Sequence, residues 1–143
     1  MELIIKPTEL CNFKCTFCSS TQLVENKASR LSLERIFKFL ERFPETNTII
    51  VNGGDPLMLP PDYYWKIIEH LDSKRLPANL SFTSNLWDFY KRPDKWSELL
   101  RHERMGVATS FNYGVTRLIT EGRPLTEDIF WEISDLFNSR VGY

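Results

Sequence analysis

All three cysteines of this 143-residue chain lie within eight residues, Cys11-Asn12-Phe13-Lys14-Cys15-Thr16-Phe17-Cys18. Three residues separate the first pair and two the second. Thiols this close on one loop converge on a single centre; they cannot easily serve three separate structural sites. Thiolates are soft ligands that suit iron–sulfur clusters, zinc and copper(I). A closed structural zinc site wants four protein ligands. Three cysteines on a four-iron cluster leave one iron without a thiolate, open to a small molecule. From spacing alone, a cluster, a zinc site and a disulfide with a spare thiol all stay open.

The remaining composition narrows the choice. The chain has the length of one domain, and its 42% hydrophobic and 26% charged residues are ordinary for a globular protein. A net charge of −1 gives no field to gather nucleic acid or an anionic membrane, so neither is expected as a partner. No apolar run approaches the ~20 residues of a membrane span, and Met1-Glu2-Leu3-Ile4-Ile5-Lys6 lacks the layout of a signal peptide. Cysteines clustered without partners elsewhere argue against a secreted disulfide framework and for a reducing cytoplasm.

Read in order, the sequence alternates short apolar runs with helical periodicity. Leu3–Ile5 reads as a buried strand stopped by Pro7, with the cysteine loop hung on its end. Ser32 caps a helix to about Arg42, with Leu33, Ile36, Phe37 and Leu40 on one face. Thr48–Val51 is a second strand, running into Asn52-Gly53-Gly54-Asp55-Pro56. A diglycine at a strand end lets backbone approach a ligand closely. Pro60-Pro61-Asp62 opens a second helix. Leu80–Thr83 is a third strand ending in Ser84-Asn85. The aromatic stretch Trp87 to Trp96 reads as an irregular connection followed by a short helix from Pro93 to about Arg101. Val107–Phe111 is a fourth strand entered through Gly106, with Ser110 and Asn112 at its end. Thr126 caps a last helix, to about residue 139.

The cysteine spacing, with the aromatic Phe17 before Cys18, resembles the cluster loop of the radical S-adenosylmethionine enzymes. Gly53-Gly54-Asp55-Pro56 is similar to that family's Gly-Gly-Glu-Pro motif, with Asp55 keeping the charge on a side chain one methylene shorter. The resemblance implies a [4Fe-4S] cluster on Cys11, Cys15 and Cys18, whose open iron chelates S-adenosylmethionine. It implies cofactor contacts from Phe17, Gly53, Gly54, Asp55, Pro56, Ser84, Asn85, Ser110 and Asn112; Arg117 and Arg123 are candidates for the methionine carboxylate, although isolated loop arginines are more often solvated surface charges. It also implies an electron donor such as a flavodoxin or ferredoxin. The loop from Ile5 to Cys11 and the glycine motif look most like members that modify peptides or proteins.

Four strands alternating with helices call for βαβ units and a parallel sheet, with ligand loops gathered at the strands' C-terminal edge. The expected fold is α/β, a partial (β/α) barrel with parallel strands, the resemblance supplying four βα units of the usual six. Residues 1–143 then form one radical S-adenosylmethionine core domain, incomplete on its C-terminal side, with Val107–Phe111 an open edge. The expected activity is reductive cleavage of S-adenosylmethionine and hydrogen abstraction from an unidentified substrate, a peptide or protein among the candidates; no catalytic side chain is assigned. The alternatives are a non-catalytic zinc module using His70, His102 or a carboxylate as fourth ligand, and a fragment that keeps the cluster region without a substrate wall.

Overall fold

The computed structural model describes residues 1–13, 30–111, 119 and 124–142. Four strands, β1 (Glu2–Ile5), β2 (Thr48–Val51), β3 (Asn79–Thr83) and β4 (Met105–Ala108), form a sheet in the order β1-β2-β3-β4. Every pairing is parallel. Five helices connect or follow them among the described residues: α1 (Leu33–Arg42), α2 (Pro61–Ser73), α3 (Trp87–Lys91), α4 (Pro93–Leu100) and α5 (Glu127–Val141). A short 3₁₀ turn at Pro56–Met58 follows β2. No described helix is long and apolar enough to cross a membrane.

Local chemistry sets the helix ends. Ser32 Oγ accepts the Arg35 N–H and starts α1, while Thr126 Oγ1 accepts the Ile129 N–H and starts α5. Pro61 occupies the first turn of α2, where its missing N–H costs nothing. Gly142, at φ +86°, turns the chain out of α5.

Sequential neighbours joined by right-handed crossovers place all their helices on one face of a parallel sheet. Burial follows that rule. The register aligns Leu3, Ile49, Leu80 and Met105 in one row and Ile5, Val51, Phe82 and Val107 in the next, both on the helix side. Ile49, Val51 and Phe82 are fully buried there, each contributing about 1.5–3 kcal/mol relative to exposure. The intervening row, Ile4, Ile50, Ser81 and Gly106, lies on the opposite face. Ile4 is 60% exposed, and Thr83 and Ala108, further along that face, are also exposed.

The sequence expectations hold for β1, β2, β3, α1, α2, α4 and α5 to within a few residues. Two differ. Trp87–Lys91 is a helix rather than an irregular connection, because Leu86 takes a left-handed backbone (φ 60°, ψ 15°) that redirects the chain into it. The fourth strand begins at Met105 and ends at Ala108, earlier than expected. Gly106 lies inside it, opposite Ser81. β4 is an edge of the described sheet, as expected, and β1 is the other.

Candidate active site

Three strand ends are tied together by hydrogen bonds. After β1, the chain runs alongside the glycine turn after β2. The N–H of Asn52 donates to Ile5 O (2.9 Å), that of Gly54 to Thr8 O (3.0 Å) and that of Asp55 to Leu10 O (2.8 Å). The parallel pairing of β1 and β2 thus continues as a tight seam up to the residue before Cys11. Only glycine fits this seam. Gly53 sits at φ +114°, and an added Cβ would lie 2.4 Å from Thr8 O. At Gly54 a Cβ would come within 2.0 Å of Leu10 O and 2.5 Å of the Glu9 carbonyl. The close backbone approach that the diglycine permits is to the root of the cysteine loop.

Asp55 turns inward. It is 2% exposed, and both carboxylate oxygens are occupied. Oδ1 accepts the Leu57 N–H (3.0 Å) and the Ser84 hydroxyl (2.9 Å), while Oδ2 accepts the Asn85 N–H (2.8 Å). Burial raises its pKa from 3.8 to about 6, against the lowering effect of these hydrogen bonds. Tyr64, buried beneath, donates its hydroxyl to Pro56 O. The motif is therefore held from below as well as from the side.

Ser84 and Asn85 link β3 to both neighbours. The Asn85 side chain accepts the Trp87 N–H at Oδ1 (2.9 Å). Its Nδ2 donates to Asn12 Oδ1 (2.9 Å) and reaches Cys11 Sγ (3.7 Å). Cys11 Sγ also accepts the Phe13 N–H at 3.3 Å. The chain beyond β4 joins through Phe13, which bridges Ile119 in antiparallel sense and packs against Trp87 at 6.2 Å. A cavity of about 450 Å³ opens beside Asn12, between Met58, Trp87 and Ile119, and is lined also by Lys91 and Arg92.

Of the residues singled out from sequence, the structure brings Cys11, Gly53, Gly54, Asp55, Pro56, Ser84 and Asn85 to one rim. Ser110 is exposed, two residues beyond β4. Cys15, Phe17, Cys18, Asn112, Arg117 and Arg123 lie outside the described residues. The sequence reading missed Asn12, Phe13, Leu86 and Ile119. Only Asn12 and Phe13 carried a signal, by lying between cysteines. His102 precedes β4, at the opposite edge of the sheet from Cys11; its Nδ1 accepts the Arg104 N–H. His70, near the end of α2, stacks on Phe37 at 4.1 Å. Neither histidine is bonded to Cys11 among the described residues.

The model of the radical SAM superfamily matches residues 5–136. A GTP 3′,8-cyclase of Mannheimia succiniciproducens is 28% identical over 100 residues, 67% of this chain and 29% of that protein. Among solved structures, hexahistidine-tagged anSMEcpe with bound AdoMet superposes with a TM-score of 0.76 at 22% identity, over 98% of this chain and 41% of that one. Native anSMEcpe with bound AdoMet and a Cp18Cys peptide gives 0.74 at 22% identity, over 97% and 40%. These solved structures share the α/β partial-barrel fold, and the chain spans well under half the length of each of these relatives. With the family model covering nearly all of the sequence, and Cys11 seated at a parallel sheet's C-terminal rim, the chain belongs to the radical SAM superfamily.

Proposed function

We propose that the chain carries the cluster-binding and S-adenosylmethionine-binding half of a radical SAM enzyme. Cys11, Cys15 and Cys18 would hold a [4Fe-4S] cluster. Gly53, Gly54, Asp55, Pro56, Ser84, Asn85, Ser110, Asn112 and Phe17 would form the rim around S-adenosylmethionine. The observation that carries this reading is the hydrogen-bonded seam joining Cys11, the glycine turn and Asn85.

The residues present fit such a group. Cys11 sulfur receives one N–H and has an amide NH₂ beside it, the kind of donors that surround a metal-bound sulfur. Glu9 Oε2, two residues before Cys11, is buried with no hydrogen-bond partner among the described residues. A buried carboxylate oxygen without a donor is costly, and a cationic ligand on this rim would offset that cost. When bound, the cluster and S-adenosylmethionine supply a 5′-deoxyadenosyl radical that abstracts hydrogen from a substrate. The protein's own part is positional. The seam fixes where Cys11 emerges, Asp55 locks β3 to β2, and Phe13 packs on Trp87 beside Cys11.

The substrate is unidentified; a peptide or protein is the preferred class, with a flavodoxin or ferredoxin as electron donor and a reducing cytoplasm as the setting. Anaerobic reconstitution with iron and sulfide tests the reading. A brown protein that binds S-adenosylmethionine and releases 5′-deoxyadenosine on reduction supports it. A colourless protein that retains zinc through the same treatment refutes it and favours a non-catalytic zinc module.

A further inference from the structure

We infer that Asn85 is a positioning residue for Cys11, donating a side-chain hydrogen bond that sets the electron affinity of the metal centre on that sulfur. This rests on the cluster-binding reading above. Asn85 stands on β3's end, far from the cysteines in sequence, and reaches them across the rim.

The orientation of its carboxamide is fixed by chemistry. The Trp87 N–H can only donate, so the oxygen of Asn85 must face it at 2.9 Å. The NH₂ group then faces the other way. One hydrogen goes to Asn12 Oδ1 at 2.9 Å, and the other is directed at Cys11 Sγ at 3.7 Å. Both amide hydrogens are thereby committed within the protein. The Asn85 side chain thus acts through Cys11 from its place on the rim proposed above for S-adenosylmethionine.

The surroundings hold this arrangement under strain. The Asn85 backbone N–H is held by Asp55 Oδ2. The next residue, Leu86, adopts φ 60° while 2% exposed. A left-handed conformation costs a non-glycine residue roughly 1–2 kcal/mol. It brings the Leu86 N–H onto Ser84 Oγ and the Trp87 N–H onto Asn85 Oδ1. The strained turn thus serves to aim one amide. Hydrogen bonds to ligand sulfur stabilise the reduced, more negative form of an iron–sulfur centre and raise its potential.

The experiment is a redox titration of the reconstituted full chain without S-adenosylmethionine, read by electron paramagnetic resonance of the reduced state and paired with iron counts. Asn85→Asp keeps an acceptor for the Trp87 N–H but replaces the NH₂ with a carboxylate. The expected result is parent-like iron content with the midpoint shifted to more negative potential. Asn85→Gln, which retains an amide, should fall between the two. A parent-like midpoint in Asn85→Asp at full iron loading overturns the inference. If Asn85→Asp loses iron, Asn85→Ala carries the test, because it removes the NH₂ without adding a charge and leaves the backbone N–H on Asp55. A negative shift there supports the inference, and none overturns it. A parent chain that forms no cluster is seen before any variant is made; that result overturns the underlying reading together with this one.

Discussion

Protonating Asp55 should stabilise the fold, contrary to the usual behaviour of a hydrogen-bonded carboxylate. Its pKa rises from 3.8 to about 6 on burial, so the folded protein holds this proton more tightly than the unfolded chain does. Below pH ~4 the group is neutral in both states and imposes no penalty. As pH rises through 6, the folded state must carry a desolvated charge that the unfolded state carries in water. At 1.36 kcal/mol per tenfold change in proton affinity, the full penalty is about 3 kcal/mol. Asp55→Asn removes the titration and keeps the shape. It loses one acceptor, facing either the Leu57 or the Asn85 N–H, at a cost that does not vary with pH. Urea unfolding of the metal-free parent and variant from pH 4 to 8 isolates the effect. The stability of the parent minus that of Asp55→Asn should fall by about 2.5 kcal/mol between pH 4 and 7.5. A flat difference, or one that rises with pH, would show that the hydrogen bonds from Ser84, Asn85 and Leu57 outweigh desolvation, and the reasoning would fail.

Ser84→Ala removes a donor to ionised Asp55, so Asp55 should titrate still higher, and the variant should lose more stability at pH 8 than at pH 5 in the same assay. Gly54→Ala should cost at least about 3 kcal/mol in urea unfolding, since its Cβ meets Leu10 O at 2.0 Å. It should also lower iron loading, because the displaced backbone leads into Cys11. Gly142→Ala, with nothing within 4 Å of the new atom, should cost only about 1 kcal/mol from its left-handed backbone. Replacing Cys11, Cys15 or Cys18 by Ala should each abolish the reconstituted visible absorption, and full absorption in any one would remove that residue from the ligand set. The outward amides of β4 should exchange with deuterium faster than those of β3, which pairs on both sides; equal protection would mean that the β4 edge is covered.

Much of the fold was legible because its determinants are local. Ser32 and Thr126 announce helix starts, Pro44 and Pro61 punctuate, and the apolar runs of β1 to β3 are short and bounded by turn residues. α3 was not legible. Its five residues include Trp87, Phe89 and Tyr90, which are poor helix formers, and no side chain caps it. The left-handed turn at Leu86 makes it, and that conformation is held by tertiary packing. Cys11, the diglycine and Ser84-Asn85 stand at strand ends, where the sequence put them, while Cys15 and Cys18 lie outside the described residues. Their partners were hidden. Sequence can say that Gly54 admits something close, but not that Glu9 and Leu10 fill the space. It can say that Asp55 is charged, but the residues that draw it inward stand on the next strand. In the sequence Asn85 stands as a ligand contact at the end of β3. The structure gives it a turn, through Trp87, and adds a reach to Cys11 that no local pattern encodes.

The one-sided sheet has a consequence for how such a protein can change. Along β3, Leu80 and Phe82 are sealed beneath helices, while Ser81 and Thr83 point the other way. Truncating Phe82 would cost about 3–5 kcal/mol; exchanging Thr83 for another small polar residue would cost about 0.5 kcal/mol or less. Alternate codons of one strand are therefore under separate selection. Among the described residues, the face that carries Ile4, Ile50, Ser81 and Gly106 is less buried than the rows beside it, so changes there cost the sheet less. A lineage can refit that surface to new molecules one residue at a time, without passing through an unfolded ancestor.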